Sequence, residues 1–287
     1  MIEHTTAEID GLRLHLAEAG PAEGPLVVLL HGFPELWYGW RHQIQPLAEA
    51  GFRVLAPDQR GYNESDKPRR VRDYRLDRLA DDVAALIETR GRASARLVGH
   101  DWGGAVAWWT AVRHRDRVER LAVLNCPHPL AMRRELVRNR AQLRKSWYML
   151  FFQLPWLPEW WYRRRDFDVG VRSVRGTARR GAFDDEEMER YKEAWRKPRA
   201  LRSMIHWYRA SLRHPPARVR DPAVSAPTLL LWGLKDRFLG PELIDSSLRY
   251  APDARVERLP EATHWLQHEE PERVNEKLIG FLAEQRA

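Results

Sequence analysis

The chain has 287 residues, of which 44% are hydrophobic and 13 are tryptophan, a composition typical of a globular protein and not of a disordered one. Its net charge is +8, but the arginines are spread along the chain among 40 acidic residues. No nucleic-acid-binding motif accompanies the densest basic runs, residues 163–165 and 172–180, so we expect a solvated basic surface and no nucleic-acid partner.

We expect no signal peptide and no membrane span. Residues 1–11 lack the basic and apolar regions of a signal peptide, and no apolar run approaches the roughly 20 residues that a membrane span requires. The single cysteine, Cys126, has no partner for an intramolecular disulfide. We therefore expect a soluble cytoplasmic protein without a membrane partner, either a monomer or a homodimer.

Strand and helix patterns alternate along most of the chain. Residues 4–17 form two alternating segments around Asp10-Gly11, a dipeptide that favours a two-residue hairpin turn. Short apolar runs, typical of strands buried on both faces of a parallel sheet, follow at residues 26–30, 52–56, 95–99, 120–125 and 228–232. Helical patterns separate them, notably Leu76 to Thr89, with Gly91 as a stop signal. The sequence predicts an α/β fold with a mostly parallel sheet flanked by helices.

The alternation stops between residues 127 and 221, where long amphipathic stretches rich in Trp and Arg take its place. This pattern indicates an inserted helical cap, residues 127–221, between two parts of one core, residues 1–126 and 222–287. Because the insertion lies between two strands of one sheet, we expect it to cover the carboxyl ends of the strands, where ligands bind.

A candidate nucleophile follows the buried run that ends at Gly99. In Gly99-His100-Asp101-Trp102-Gly103, small residues stand two positions before and after Asp101, as in the nucleophile elbow of α/β-hydrolases. The chain contains no Gly-x-Ser-x-Gly, so a serine nucleophile is not indicated. Asp101 could instead cap the following helix, but the surrounding glycines exceed what a cap needs. A carboxylate nucleophile suits displacement at a saturated carbon, as in epoxides and alkyl halides.

Two further residues complete a predicted triad. His264 follows the strand-like stretch 256–259 and is the candidate base, and Asp236 follows the run 228–232 and is the candidate orienting acid. The order nucleophile, acid, base is that of the α/β-hydrolases. Taken singly, Asp236 could be a turn residue and His264 a loop histidine, or half of a metal pair with His268. The His-Glu-x-x-His arrangement is missing, and we expect no metal.

The loop His31-Gly32-Phe33-Pro34 comes directly after the strand that ends at Leu30. In this fold the backbone N–H groups of Phe33 and of Trp102, the residue after the nucleophile, would form an oxyanion hole. The plainer alternative is an ordinary Gly-Pro loop.

Four segments together resemble the epoxide hydrolase branch of the α/β-hydrolase superfamily: residues 31–43, 56–68, 99–104 and 263–275. This resemblance implies cofactor-independent hydrolysis of an apolar epoxide. It also implies that two cap tyrosines hold the epoxide oxygen, and Tyr148 in residues 148–155 and Tyr208 in Trp207-Tyr208-Arg209 match their motifs. From the residues alone, packing within the cap would be the simpler role for both rings.

The expected substrate pocket is aromatic. Its predicted lining is Phe33, Trp102, Phe152, Trp156 and Trp265. Residues 154–159, Leu-Pro-Trp-Leu-Pro-Glu, depart from the pattern of many relatives and are similar to another epoxide hydrolase branch. We expect Trp156 and Trp160 to narrow or redirect the substrate channel.

Two other functions compete with epoxide hydrolysis. A haloalkane or haloacetate dehalogenase would use the same Asp and His but needs donors for a departing halide. Haloalkane dehalogenases typically have Asn or a similar donor where Phe33 stands, and haloacetate dehalogenases usually have Arg where Trp102 stands. A non-catalytic small-molecule receptor is the third possibility, and the complete triad argues against it.

Overall fold

A computed structural model describes residues 1–284. Its strands are β1 (Glu3–Ile9), β2 (Leu12–Ala19), β3 (Leu26–Leu30), β4 (Arg53–Pro57), β5 (Ala95–His100), β6 (Val118–Leu124), β7 (Thr228–Gly233) and β8 (Arg255–Leu259). Its α-helices are α1 (Arg41–Glu49), α2 (Leu76–Thr89), α3 (Trp102–Arg113), α4 (Pro129–Arg138), α5 (Arg140–Lys145), α6 (Trp147–Phe151), α7 (Leu157–Arg175), α8 (Asp185–Arg196), α9 (Ala200–Arg213), α10 (Glu242–Leu248), α11 (Leu266–Glu269) and α12 (Pro271–Ala283).

The strands form one sheet in the order β1-β2-β4-β3-β5-β6-β7-β8. From β4 to β8 all neighbours are parallel, and β1 and β2 add an antiparallel hairpin at one edge. The predicted turn of this hairpin is confirmed, because Asp10 and Gly11 both have positive φ, 48° and 71°. The predicted fold class, a mostly parallel sheet flanked by helices, is also confirmed.

Helices cover both faces of the sheet, so β3 and β7 are buried throughout, and β4, β5 and β6 are buried at all but one residue each. Helices α2 and α3 pack together on one face, and α1 and α12 pack together on the other. Helix α2 has the predicted bounds because its apolar side chains recur at helical spacing: Leu79, Val83 and Leu86 all face the core. Helices on both faces of the sheet bury β3 completely, which explains why the sequence of β3 is a continuous apolar run.

Helices α4 to α9 all fall within residues 127–221, where the cap is predicted, and they connect β6 to β7. Helix α7 is kinked, since Arg165, Asp166 and Phe167 have positive φ inside it. Within residues 1–284 no helix combines the length and apolar character needed to cross a membrane. The division into a core domain and a cap domain stays a prediction.

Helix α3 approaches the ends of β3 and β5 so closely that glycine is required at its start. A Cβ atom at Gly103 would lie 2.0 Å from the backbone oxygen of Leu30, and one at Gly99 would lie 2.4 Å from the oxygen of Gly103. These contacts are with backbone atoms and cannot be relieved by a side-chain rotation. The spacing of glycines around Asp101 is therefore a packing requirement of the turn that presents this residue.

We predict that Gly103→Ala destabilises the protein by about 2 kcal/mol or more, because the new methyl group overlaps the β3 backbone. Gly280→Ala in α12 is the matched control, since its Cβ would meet no atom within 4 Å. Alanine favours a helix by up to ~1 kcal/mol over glycine, so the control should be neutral or stabilising. Urea unfolding of both variants measures the difference. Equal midpoints would contradict the close-approach argument.

Candidate active site

Asp101 lies in a strained turn between β5 and α3, with φ of 50° and ψ of −123°. Non-glycine residues rarely adopt positive φ, and such strain is concentrated at functional sites. The turn directs the carboxylate toward the loop after β3, where the Phe33 N–H donates to Asp101 Oδ1 over 2.9 Å. A side chain at Gly32 would lie 2.4 Å from Asp101 Cβ, so only glycine allows this approach.

His264 lies between Asp101 and Asp236. Its Nδ1 is 2.7 Å from Asp236 Oδ2, and its Nε2 is 3.6 Å from Asp101 Oδ2. Both contacts involve side chains that are buried or largely buried. The structure thus brings the three residues of the predicted triad together in the expected order of contact, with the imidazole in the centre.

Asp236 is fixed by further donors. The backbone N–H groups of Phe238 and Leu239 donate to its Oδ1 over 2.7 and 3.0 Å. The Asn125 amide donates to its Oδ2 over 2.6 Å. Burial raises the pKa of Asp236, but His264 and these hydrogen bonds outweigh burial and leave the pKa lowered. Asp236 therefore stays ionised beside His264.

The charge of His264 depends on both carboxylates. Burial lowers its pKa, while Asp236 and Asp101 raise it, with a net result of about 10. At neutral pH the ring is therefore an imidazolium in an ion pair with Asp101. Any step that removes the charge of Asp101 must lower the pKa of His264.

The predicted oxyanion hole has one donor already in place. The Phe33 N–H contacts Asp101 Oδ1, as described above. Trp102 is the first residue of α3, and the first N–H groups of a helix have no partner within it. The helix N-terminus also favours negative charge nearby.

Tyr148 on α6 and Tyr208 on α9 lie next to each other, with ring centroids 5.9 Å apart. Burial, and secondly the charge of Asp101, raise the pKa of both phenols above its usual range. Both are therefore protonated donors at neutral pH. The Trp102 ring packs edge-on against Tyr208, with ring centroids 5.1 Å apart, which restricts the position of the Tyr208 ring.

Two cavities meet at the candidate nucleophile. The larger, of about 810 Å³, and the smaller, of about 330 Å³, share Asp101, Tyr148 and Tyr208 in their linings. The larger cavity is also lined by His264 and by three of the predicted pocket residues, Phe33, Phe152 and Trp265. The smaller one contains Trp102 and is bordered by apolar residues that include Cys126, Leu130 and Met149.

One pocket prediction is wrong. The Trp156 side chain is 72% exposed and lines neither cavity, because Trp156 turns the chain into α7 with φ of 55° and leaves its ring in solvent. Trp160, 55% exposed, also lines neither cavity, and the Arg164 guanidinium lies 4.7 Å from its ring centroid. Neither ring narrows the channel.

A buried polar network behind the site was not predicted. Glu35, 2% exposed, accepts hydrogen bonds from the Tyr191 hydroxyl at 2.7 Å and from His268 Nε2 at 2.8 Å. Gln267 Nε2 lies 3.2 Å from Glu35 and 3.1 Å from His100 Nδ1, and His100 Nε2 lies 2.8 Å from the carbonyl oxygen of His264.

The charge and tautomers of this network follow from its partners. Burial would raise the pKa of Glu35, but His268 and His100 hold it well below its usual range. Burial lowers the pKa of His268 to about 4, so its ring is neutral and its Nδ1 accepts from Arg41. Both nitrogens of His268 are thus engaged. Within residues 1–284 no group of His, Cys, Asp and Glu side chains is arranged to hold a metal ion.

Comparison with known proteins agrees with this geometry. A family model described as alpha/beta hydrolase fold matches residues 25–271. The AB hydrolase superfamily protein YfhM of Bacillus subtilis is 44% identical over 96% of each chain, and human epoxide hydrolase 4 is 39% identical over 96% of this chain and 77% of its own. A crystal structure of Bacillus megaterium epoxide hydrolase with an inhibitor has a TM-score of 0.90 and 32% identity, covering 98% of this chain and 100% of that one.

Fold, nucleophile elbow and triad geometry define an α/β-hydrolase. Within that superfamily the chain belongs to the epoxide hydrolase branch, as its relatives show. The predicted family resemblance is confirmed.

We predict that Asp101→Asn lowers the pKa of His264 from its value of about 10 in the native protein. The substitution keeps the size of the side chain but removes one of the two charges that raise this pKa. An NMR titration of the imidazole measures the change, with His128, whose pKa burial lowers to about 3, as an internal reference. An unchanged pKa in the variant would show that Asp101 does not control the protonation of His264.

Proposed function

We propose that this enzyme hydrolyses apolar epoxides to vicinal diols through a covalent ester on Asp101, without a cofactor. The observation that carries the proposal is the position of two buried phenols, Tyr148 and Tyr208, on the same cavities as the carboxylate of Asp101. Protonated phenols are the acids that an opening epoxide ring needs, and a carboxylate is a suitable nucleophile for its carbon.

In the first step Tyr148 and Tyr208 donate hydrogen bonds to the epoxide oxygen. Asp101 Oδ2 attacks a ring carbon, because Oδ1 is held by the Phe33 N–H. The new C–O bond forms as the ring C–O bond breaks, and the departing oxygen takes a proton from one tyrosine. The product is a hydroxyalkyl ester of Asp101.

The ester changes the charge of the site. Asp101 is now neutral, so the pKa of His264 falls and its proton returns to the tyrosinate. The neutral imidazole, oriented by Asp236, then takes a proton from a water molecule that attacks the ester carbon.

The attack on the ester produces an oxyanion at Oδ1. The N–H groups of Phe33 and Trp102 stabilise this charge. When the bond between the ester carbon and Oδ2 breaks, the leaving alkoxide takes the proton from the His264 imidazolium and departs as the diol. The new carboxylic acid of Asp101 then gives its proton to His264, which restores the carboxylate and the ion pair.

Two cavities that share Asp101, Tyr148 and Tyr208 would suit an epoxide with two substituents, one in each cavity. For the related Bacillus megaterium enzyme, a variant has been crystallised with the product (R)-3-[1]naphthyloxy-propane-1,2-diol. That product carries a bulky aromatic substituent, and we propose that the present enzyme likewise prefers bulky apolar epoxides. The smaller cavity, with Cys126, Leu130 and Met149, would take the more apolar substituent.

Dehalogenation uses the same nucleophile and base and remains the competing function. A departing halide needs fixed donors that do not have to give up a proton, whereas an opening epoxide needs acids. The two buried phenols therefore favour the epoxide. Parallel assays of aryl and alkyl epoxides, haloalkanes and fluoroacetate distinguish the functions by diol formation and halide release.

We predict that Tyr148→Phe and Tyr208→Phe each lower epoxide turnover by about 10²-fold or more, and that the double variant is nearly inactive, because the oxygen then leaves without an acid. Tyr38→Phe is the matched control, since Tyr38 lines neither cavity. Diol formation under saturating substrate measures the effect. Native turnover in the double variant would remove the epoxide assignment.

We predict that His264→Ala accumulates the ester, because ring opening needs the tyrosines and Asp101 while hydrolysis of the ester needs the base. Mass spectrometry of the intact protein should show an increase equal to the mass of the epoxide, and peptide mapping should place it on Asp101. Asp101→Ala should show neither adduct nor turnover. A label on another residue would contradict the two-step mechanism. The absence of a label on His264→Ala, with an epoxide that the wild-type enzyme hydrolyses, would contradict it as well.

A further inference from the structure

Exposed apolar side chains are concentrated in one part of the cap. Of the eleven large apolar side chains that are exposed in residues 1–284, seven lie between residues 143 and 160: Leu143, Trp147, Leu150, Leu154, Trp156, Leu157 and Trp160. Trp147, Leu150, Trp156 and Trp160 are each more than half exposed. Apolar residues scattered singly on a surface need no explanation, but a concentration of this kind marks an interaction surface.

Tryptophan strengthens this observation. The chain has 13 tryptophans, and the three that are exposed, Trp147, Trp156 and Trp160, all belong to this stretch. Tryptophan is enriched where an apolar environment meets a polar one, because its ring is apolar and its N–H seeks a hydrogen-bond acceptor.

The charged residues within this part of the sequence are almost all basic. Residues 138–165, which we name the tryptophan segment, contain seven basic residues and one acidic residue, Glu159. Glu159 is buried and paired with Arg209, so it contributes no exposed negative charge. The next acidic residues, Asp166 and Asp168, are paired with Lys192, Arg196 and Arg172.

From this combination we infer, in contrast to the expectation from the sequence of no membrane partner, that the tryptophan segment docks on the surface of an anionic lipid bilayer. Exposed Trp and Leu beside Lys and Arg are the signature of structures that lie in the membrane interface without spanning it. Each basic residue close to such a surface adds to the attraction. A second copy of this chain fits less well, because a symmetric contact would bring the basic residues of both segments together.

Docking in this way would place the larger cavity against the bilayer. Arg144, Trp147 and Arg165 belong to the tryptophan segment and also line that cavity, which continues inward to Asp101. Apolar molecules concentrate in the bilayer, so a substrate would pass from the lipid into the cavity without crossing bulk water. The inference concerns lipid binding and is tested without any substrate.

The test measures cosedimentation of the full chain with vesicles of phosphatidylcholine containing phosphatidylglycerol, and with vesicles of phosphatidylcholine alone. We expect strong binding to the mixed vesicles, weaker binding to the neutral ones, and loss of binding as salt is raised. Quenching of the wild-type tryptophans by brominated lipid provides a measurement that needs no variant. Absence of both binding and quenching would overturn the inference.

Variants separate the apolar and the charged contributions. Leu150→Ser/Trp156→Ser/Trp160→Ser changes three side chains that line neither cavity, and should weaken binding to mixed vesicles by at least about tenfold. Its circular dichroism spectrum should match that of the wild type.

The charge variant is Arg138→Gln/Arg140→Gln/Arg163→Gln. Its matched control, Arg69→Gln/Arg70→Gln/Arg72→Gln, removes the same charge from exposed arginines outside the cap. The first should bind anionic vesicles more weakly and the control should bind as the wild type does. An equal loss of vesicle binding in the charge variant and its control would show that only net charge matters. That result would overturn the inference of a docking surface in the tryptophan segment. If sedimentation shows a dimer that the serine variant disrupts, the surface binds a second copy and the inference is wrong.

Discussion

The buried imidazole of His264, held between two carboxylates, is the interaction on which the site depends. Asp236 is surrounded by donors and keeps its charge throughout. Asp101 is the carboxylate whose charge would change in the proposed reaction, because it would become neutral as an ester. The proposed reaction therefore needs no additional group to convert His264 from the imidazolium to the neutral base. In that proposed reaction, formation of the ester intermediate would also convert His264 to the neutral base that hydrolyses the ester.

Backbone strain places these groups. Asp101 follows β5 with φ of 50°, and Asn125 follows the neighbouring strand β6 with φ of 40°. The first presents the candidate nucleophile, and the second places an amide against Asp236 and against the backbone of β7. Such conformations cost of order 1–3 kcal/mol each. They persist because the hydrogen bonds and the glycine contacts of the turn allow no alternative.

The sequence predicts the core better than the cap, for physical reasons. Local patterns specify the buried strands and helix α2. They also specify the predicted triad, since each of its side chains follows the end of a strand within a few residues. Trp156 was predicted wrongly because its direction is set by one positive φ between two prolines, which no periodicity indicates. The Glu35 network joins residues that are far apart along the chain, and each of them is unremarkable alone. Asn125 does carry a signal in the sequence, because it is a polar residue directly after a buried strand.

The Glu35 network connects the cap to the base. Tyr191 on α8 contacts Glu35, and Gln267 joins Glu35 to His100, whose ring contacts the backbone oxygen of His264. An ionised group buried among donors resists displacement, because moving it away would leave charge and donors unpaired. The backbone of His264 is therefore held in place, and it would stay in place during the change of ring charge in the proposed reaction. The same contacts fix α8 against the core, so the position of the cap and that of the base are set by one carboxylate that touches neither cavity.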